Sequence, residues 1–165
     1  MGLDMYVTRI RKIPNMTVEE VKEIAHRIWI DNDTTLIEKY KDYMYDNIDY
    51  NGKITQSVIS EGIYWRKANA IHNWFVENVQ DGEDECNEFI ISLDELVLLK
   101  EVCKEVLEDR DKAEILLPTI NGFFFGGTGY DEYYFEDLEH TVSAIEEIEK
   151  THNSENEWLT YQSSW

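Results

Sequence analysis

Proline is nearly missing from these 165 residues, with only Pro14 and Pro118, and cysteine is as scarce, with only Cys86 and Cys103. No Cys-x-x-Cys pair is present, and reduced thiols are the expectation. Long apolar runs are also lacking, so no membrane-spanning helix is expected. The start, Met1-Gly2-Leu3-Asp4, has neither the basic nor the apolar region of a secretory leader, and the expected location is cytoplasmic. No Gly/Ser-rich linker and no fixed-period repeat divides the chain, so residues 1–165 are read as a single domain.

Positive charge is the next scarcity. Fifteen Lys and Arg face 35 Asp and Glu, for a formal net charge of -20. Residues 1–75 carry 11 acidic and 10 basic side chains, whereas residues 76–165 carry 24 and 5, so nearly all the excess lies in the second half. Such a field repels nucleic acid and anionic membrane. It suits solubility, or attraction to a basic protein surface. Hydrophobic content of 42% and aromatic content of 13% nonetheless exclude a disordered acidic tail.

The pattern predicts interleaved helices and short strands. Leu3 to Ile10 suits a first strand, ended at Pro14-Asn15. Thr17 with Glu20 forms a capping box before Val21, Ile24, Ala25 and Ile28, and Asp31-Asn32-Asp33 breaks that helix. Thr35 with Glu38 repeats the capping signal. Asn51-Gly52 predicts a hairpin between Asn47–Tyr50 and Lys53–Ser60. A central helix is expected from about Tyr64 to Gln80, with Tyr64, Ala68, Ile71, Phe75 and Val79 as its apolar stripe and Arg66, Asn69, Asn73, Glu77 and Gln80 opposite. Glu88 to Ile91 reads as a strand, and Ser92 with Glu95 as a third capping box. Gly122–Phe125 reads as a short buried strand. The last helix runs from about Asp131 to Lys150, and Glu157–Trp165 as a closing strand. The fold class is therefore α+β, a compact domain with about four or five helices and a small mixed or antiparallel sheet.

The densest chemistry lies in Tyr64-Trp65-Arg66-Lys67-Ala68-Asn69-Ala70-Ile71-His72-Asn73-Trp74-Phe75. Arg supplies a planar fork for phosphate or carboxylate and Lys a point charge. Tryptophan offers a stacking face, and Asn reads a base edge or ribose hydroxyls. The competing reading puts Trp65 in the core, Arg66 and Lys67 in solvent, Asn69 on a neighbouring backbone and His72 among apolar residues; whether His72 faces the core or a pocket is open. No Ser or Cys nucleophile stands at a recognisable spacing from His72, so no catalytic residue is assigned.

Gly126-Gly127-Thr128-Gly129 can let backbone N–H groups approach a phosphate. It lacks the Lys of a Walker loop, and Asp131-Glu132 at the following helix start would oppose an anion. Tyr130 and Tyr133 are candidates for a pocket rim. Asp81, Glu83, Asp84 and Glu85 lack the ligand spacing of a calcium loop and the four histidines are scattered, so no metal and no cofactor is expected.

Gly2-Leu3-Asp4-Met5-Tyr6, Gly62-Ile63-Tyr64-Trp65-Arg66-Lys67-Ala68-Asn69-Ala70-Ile71-His72, Leu117-Pro118-Thr119, Gly122-Phe123-Phe124-Phe125-Gly126, Tyr130-Asp131-Glu132-Tyr133-Tyr134 and Tyr161-Gln162-Ser163-Ser164-Trp165 resemble segments of a group of uncharacterised small phage and prophage proteins. Residues from about Val18 to Ser57 carry none of the resemblance. It implies a phage-encoded accessory protein acting in the cytoplasm of a bacterial host cell. Small phage proteins of this kind often counter host immunity, one strategy being to sequester the nucleotide-derived signal of Thoeris or cyclic-oligonucleotide systems.

The leading expectation is thus an anti-defence binding protein that holds an anionic nucleotide-like or ADP-ribose-like molecule through Trp65, Arg66, Lys67, Asn69 and His72, with Tyr130 and Tyr133 near by. On a helix Arg66 and Lys67 would point about 100° apart, which makes a homo-oligomer, with a second copy completing the site, an expectation too. The alternatives are an acidic inhibitor or DNA mimic that binds a basic host protein, and a small nucleotide hydrolase using His72 or paired carboxylates.

Overall fold

The computed structural model describes residues 2–122 and 124–165. In chain order the elements are β1 (Asp4–Arg11), α1 (Val18–Asp31), α2 (Thr34–Lys39), β2 (Tyr45–Ile48), β3 (Ile54–Ser57), β4 (Ile59–Arg66), α3 (Asn69–Val79), β5 (Phe89–Ile91), α4 (Leu93–Glu108), α5 (Ala113–Leu116), α6 (Glu132–Thr151) and β6 (Glu157–Ser164). The fold is α+β, with six α-helices among the described residues; α2 and α5 span only six and four residues.

The main sheet has the order β4-β1-β6-β5, and every pairing in it is antiparallel. Within β1, Met5 and Val7 point to one face and Ile10 to the other, as strand alternation requires. The first face carries the larger core: Met5 and Val7 join Ile63 and Trp65 of β4, Leu159 and Tyr161 of β6, and the inner sides of α3, α4 and α6. On the second face Ile10 meets Val21, Ile24 and Ile28 of α1, together with Tyr40 and Val58. The sheet is thus held between two helical groups, with α3, α4 and α6 on the larger core.

The capping boxes at Thr17/Glu20 and Ser92/Glu95 are both formed. Asn32 ends α1 in the left-handed conformation at φ 49°. The α2 start differs from expectation. Asp33, not Thr35, is the N-cap, its carboxylate accepting from the Thr35 and Leu36 amides, because an acceptor two to three residues upstream reaches those donors. The Asn51-Gly52 turn is present, with Gly52 at φ 77° and Ile48 opposite Ile54. Val58 separates β3 from β4, so the expected strand Lys53–Ser60 is split in two.

The central helix is shorter than its periodicity suggested. Tyr64, Trp65 and Arg66 belong to β4, where Ile63 and Trp65 are buried and Tyr64 and Arg66 exposed. The pairing of β1 with β4 skips Gly62, a bulge residue at which an added Cβ would lie 2.9 Å from the Val7 carbonyl. Lys67 then turns the chain at φ 61°, and α3 begins at Asn69. The expected strand over Gly122–Phe125 is replaced by a turn in which the Phe125 amide donates to the Gly122 carbonyl at 3.2 Å; Phe123 lies outside the described residues.

Candidate functional site

A cleft of about 520 Å³ opens between the β4–α3 junction and the first half of α6. Arg66, Lys67 and the start of α3 form one wall, Tyr133, Glu136 and Asp137 of α6 form the other, and Gly126, Gly127 and Gly129 lie at its rim.

The junction brings the two cations to one place. Arg66 ends an edge strand with its side chain outward, and its Nε lies 4.0 Å from Asp4 Oδ1. The left-handed turn at Lys67 redirects the next side chain into the same cleft, where its ammonium forms no ion pair with any described residue. The 100° separation expected of helical neighbours therefore does not arise, and a second copy is not needed to unite Arg66 with Lys67. Gly126 allows the close approach that shapes this corner: it sits at φ 89°, and a Cβ there would come within 3.2 Å of Lys67 Cβ.

Asn69 is 4% exposed, and its side chain is fully used by the fold. Nδ2 donates to the Phe125 and Gly127 carbonyls at 3.0 and 2.7 Å, and Oδ1 accepts from the Ile120 amide at 3.2 Å. Asn69 holds the glycine loop in place and has no spare group to offer a base edge. Its position on the expected polar face of a helix misled, because the loop around residues 120–127 covers that face.

Trp65 and His72 are core residues. Trp65 is 2% exposed, edge-on to Phe75, with its indole N–H donating to Thr141 Oγ1 at 2.8 Å, so it has no free stacking face. His72 is 0% exposed. Burial pushes the Tyr161 phenol well above its ordinary value, so it stays a neutral hydroxyl 2.9 Å from His72 Nδ1, while Nε2 is hydrogen-bonded to the Asp84 carboxylate at 2.8 Å. With both ring nitrogens bonded and no solvent access, His72 does not reach the cleft as an acid, base or ligand contact.

The tyrosines divide. Tyr133 is 77% exposed and lines the cleft. Tyr130 does not line it; its ring packs edge-on to Tyr134, and its hydroxyl accepts from the Thr119 amide at 3.3 Å. Of the seven candidate residues, Arg66, Lys67 and Tyr133 thus present side chains to one open space, and Asn69 braces its edge.

Asp137 lines the same cleft and was not singled out among the acids. Burial raises its carboxyl to about 6, the nearby His140 opposing the rise and Glu136 and Asp131 adding to it. Among the described residues the carboxylate has no hydrogen bond and no ion pair; only the Asp137 carbonyl is engaged, accepting from Thr141 Oγ1 at 2.7 Å. A sequence signal did exist: Asp137 stands three residues after buried Tyr134 and four before buried Thr141, beside the apolar stripe of α6. Asp131, by contrast, is occupied as the N-cap, accepting from the Tyr134 amide at 3.2 Å.

The Cys103 thiol is buried and pushed up to about 12 by desolvation. Among the described residues no group of three His, Cys, Asp or Glu side chains is placed to hold a metal ion, and no helix is long and apolar enough to cross a membrane. No family profile, curated protein or solved structure matches the chain.

Proposed function

We propose that this protein binds a small, ring-bearing anion of the nucleotide class in the cleft beside Arg66 and Lys67. The observation that carries this reading is the pairing of two cations little used by the fold with the open ring of Tyr133 across one cleft. Arg66 and Lys67 supply charge-assisted donors to a phosphate, and Tyr133 supplies a face for a base. Asp131, Glu136 and Asp137 also line the cleft, so the ligand turns only one end toward the cations. Holding the molecule without consuming it is the counter-defence role implied by the resemblance to phage proteins, and we extend the proposal to sequestration of a nucleotide-derived immune signal.

The test is native mass spectrometry of the purified protein, followed by thermal shift against a nucleotide panel and analysis of the recovered ligand. A selective shift lost in Arg66→Ala and Lys67→Ala, with intact nucleotide recovered, supports the reading. No shift across the panel overturns it, and a cleaved product replaces sequestration with hydrolysis.

A second reading has its own support in the helical layer. α4 and α6 lie side by side, and Asp94, Glu108 and Glu139 are exposed without an ion pair among the described residues. This surface suits a basic protein partner. Capture of such a partner that weakens steeply from about 50 to 200 mM salt favours it; salt-insensitive capture counts against it.

A further inference from the structure

Asp137 is out of place for a residue serving only the fold. A half-buried carboxylate without a donor destabilises the protein that carries it. No described residue donates to its carboxylate, which opens onto the cleft, and Arg66 and Lys67, though they line the same cleft, are not within ion-pair distance. Of the other two carboxylates that line the cleft, Asp131 is engaged as the helix cap and Glu136 is exposed, whereas Asp137 is partly buried.

Position on α6 adds a direction. Tyr133 and Asp137 are four residues apart, so they stand one above the other on the same helix face. A planar ring laid against Tyr133 turns an edge toward Asp137, while a phosphate on the same molecule faces Arg66 and Lys67. A volume of about 520 Å³ is within the range of sites for molecules of that size.

We infer that Asp137 is the specificity residue of this cleft and selects a base that presents two adjacent N–H donors, as guanine does with N1–H and the 2-amino group. The inference rests on the nucleotide reading above. A carboxylate accepts two parallel donors in bidentate fashion. The adenine edge offers an amino donor beside a ring acceptor, which an ionised carboxylate repels. Hypoxanthine offers N1–H alone. A site built around one hydrogen-bonding pattern rejects analogues lacking it far more strongly than shape alone allows.

The experiment is isothermal titration at pH 7.5 with GMP, IMP and AMP as probes, on the wild-type chain and on the Asp137→Asn and Arg66→Ala variants. GMP is expected to bind at least about tenfold more tightly than IMP or AMP. The Asp137→Asn substitution should abolish that preference while the variant stays folded and keeps weak binding of all three. Arg66→Ala should weaken all three by a similar factor and leave the order unchanged. Equal binding of the three nucleotides to the wild type, or a guanine preference that survives Asp137→Asn, overturns the inference and leaves the nucleotide reading standing. No binding by any of the three, with no response in the wider nucleotide panel, overturns both. Binding of L-arginine where the nucleotides fail would make the cleft a site for zwitterions and would likewise overturn both.

Discussion

The indole N–H of Trp65 donates to the hydroxyl of Thr141 at 2.8 Å, and that hydroxyl donates to the Asp137 carbonyl at 2.7 Å. The chain of bonds ties edge strand β4 to α6 and so connects the two walls of the cleft. It also gives Trp65 a structural use. Trp65→Ala is expected to cost about 3–5 kcal/mol, because a large side chain leaves the core. Thr141→Val should cost about 1–3 kcal/mol by leaving a buried N–H without an acceptor. Urea midpoints check both, and a Trp65→Ala protein as stable as the wild type would return Trp65 to the list of ligand contacts.

Glu157 anchors the far end of the sheet. Burial alone would raise its carboxyl. The Arg9 guanidinium, the Tyr45 hydroxyl and the Asn153 amide outweigh that and hold it at about 2. A folded value below the unfolded one contributes stability that is present above about 4.5 and lost as pH falls from there toward 2. Arg9→Ala leaves a buried carboxylate without its cation and should cost about 3–5 kcal/mol at pH 7. Denaturation at pH 7, 5 and 3 should show the gap between wild type and variant closing as the acid is protonated; a gap that is constant with pH would mean that Arg9 acts through packing alone.

Asp137 has the opposite sign. Its folded value of about 6 lies above the ordinary 3.8, so its ionisation destabilises the fold fully above pH 6 and not at all below pH 3.8. Asp137→Asn should therefore raise the melting temperature at pH 7.5 by about 3 °C, the equivalent of about 1 kcal/mol in a chain of this size. The gain should vanish at about pH 3.5. Glu136, Asp131 and His140 face the group in both proteins, so the difference between the two scans isolates residue 137. A variant less stable at pH 7.5 would show that the carboxylate has a partner within the fold.

His72 links the core to the acidic loop. Its ring joins Tyr161, stacked on Phe75 at 3.7 Å, to Asp84. His72→Leu strands the buried Tyr161 hydroxyl and frees Asp84, at a cost of about 2 kcal/mol. Amide exchange over residues 81–86 should accelerate, with nucleotide affinity unchanged because the His72 side chain does not line the cleft. Lost affinity with unchanged exchange would restore a binding role to His72.

Much of the framework was legible because its causes are local. Thr17 with Glu20 and Ser92 with Glu95 start helices through bonds that span three residues. Asn51-Gly52 turns a hairpin through backbone conformations that those residue types favour. The β4–α3 junction was not legible. Tyr64, Ala68 and Ile71 satisfy a helical period, while Ile63 and Trp65 satisfy a strand period in the same stretch, and local preference does not choose between them. Pairing with β1, sixty residues earlier, decided for the strand.

The sequence by itself determined the α+β class, two of the three expected helix caps, the hairpin turn, the acidic second half and the presence of Arg66, Lys67 and Tyr133 as available recognition groups. Those follow from residue type and short-range spacing. Only the tertiary structure decided that Trp65, Asn69 and His72 are used by the core, that Lys67 turns left-handed to join Arg66, and that Asp137 faces them without a donor. These depend on which surfaces meet across 56 to 89 residues of chain, and burial there changes what each side chain can do.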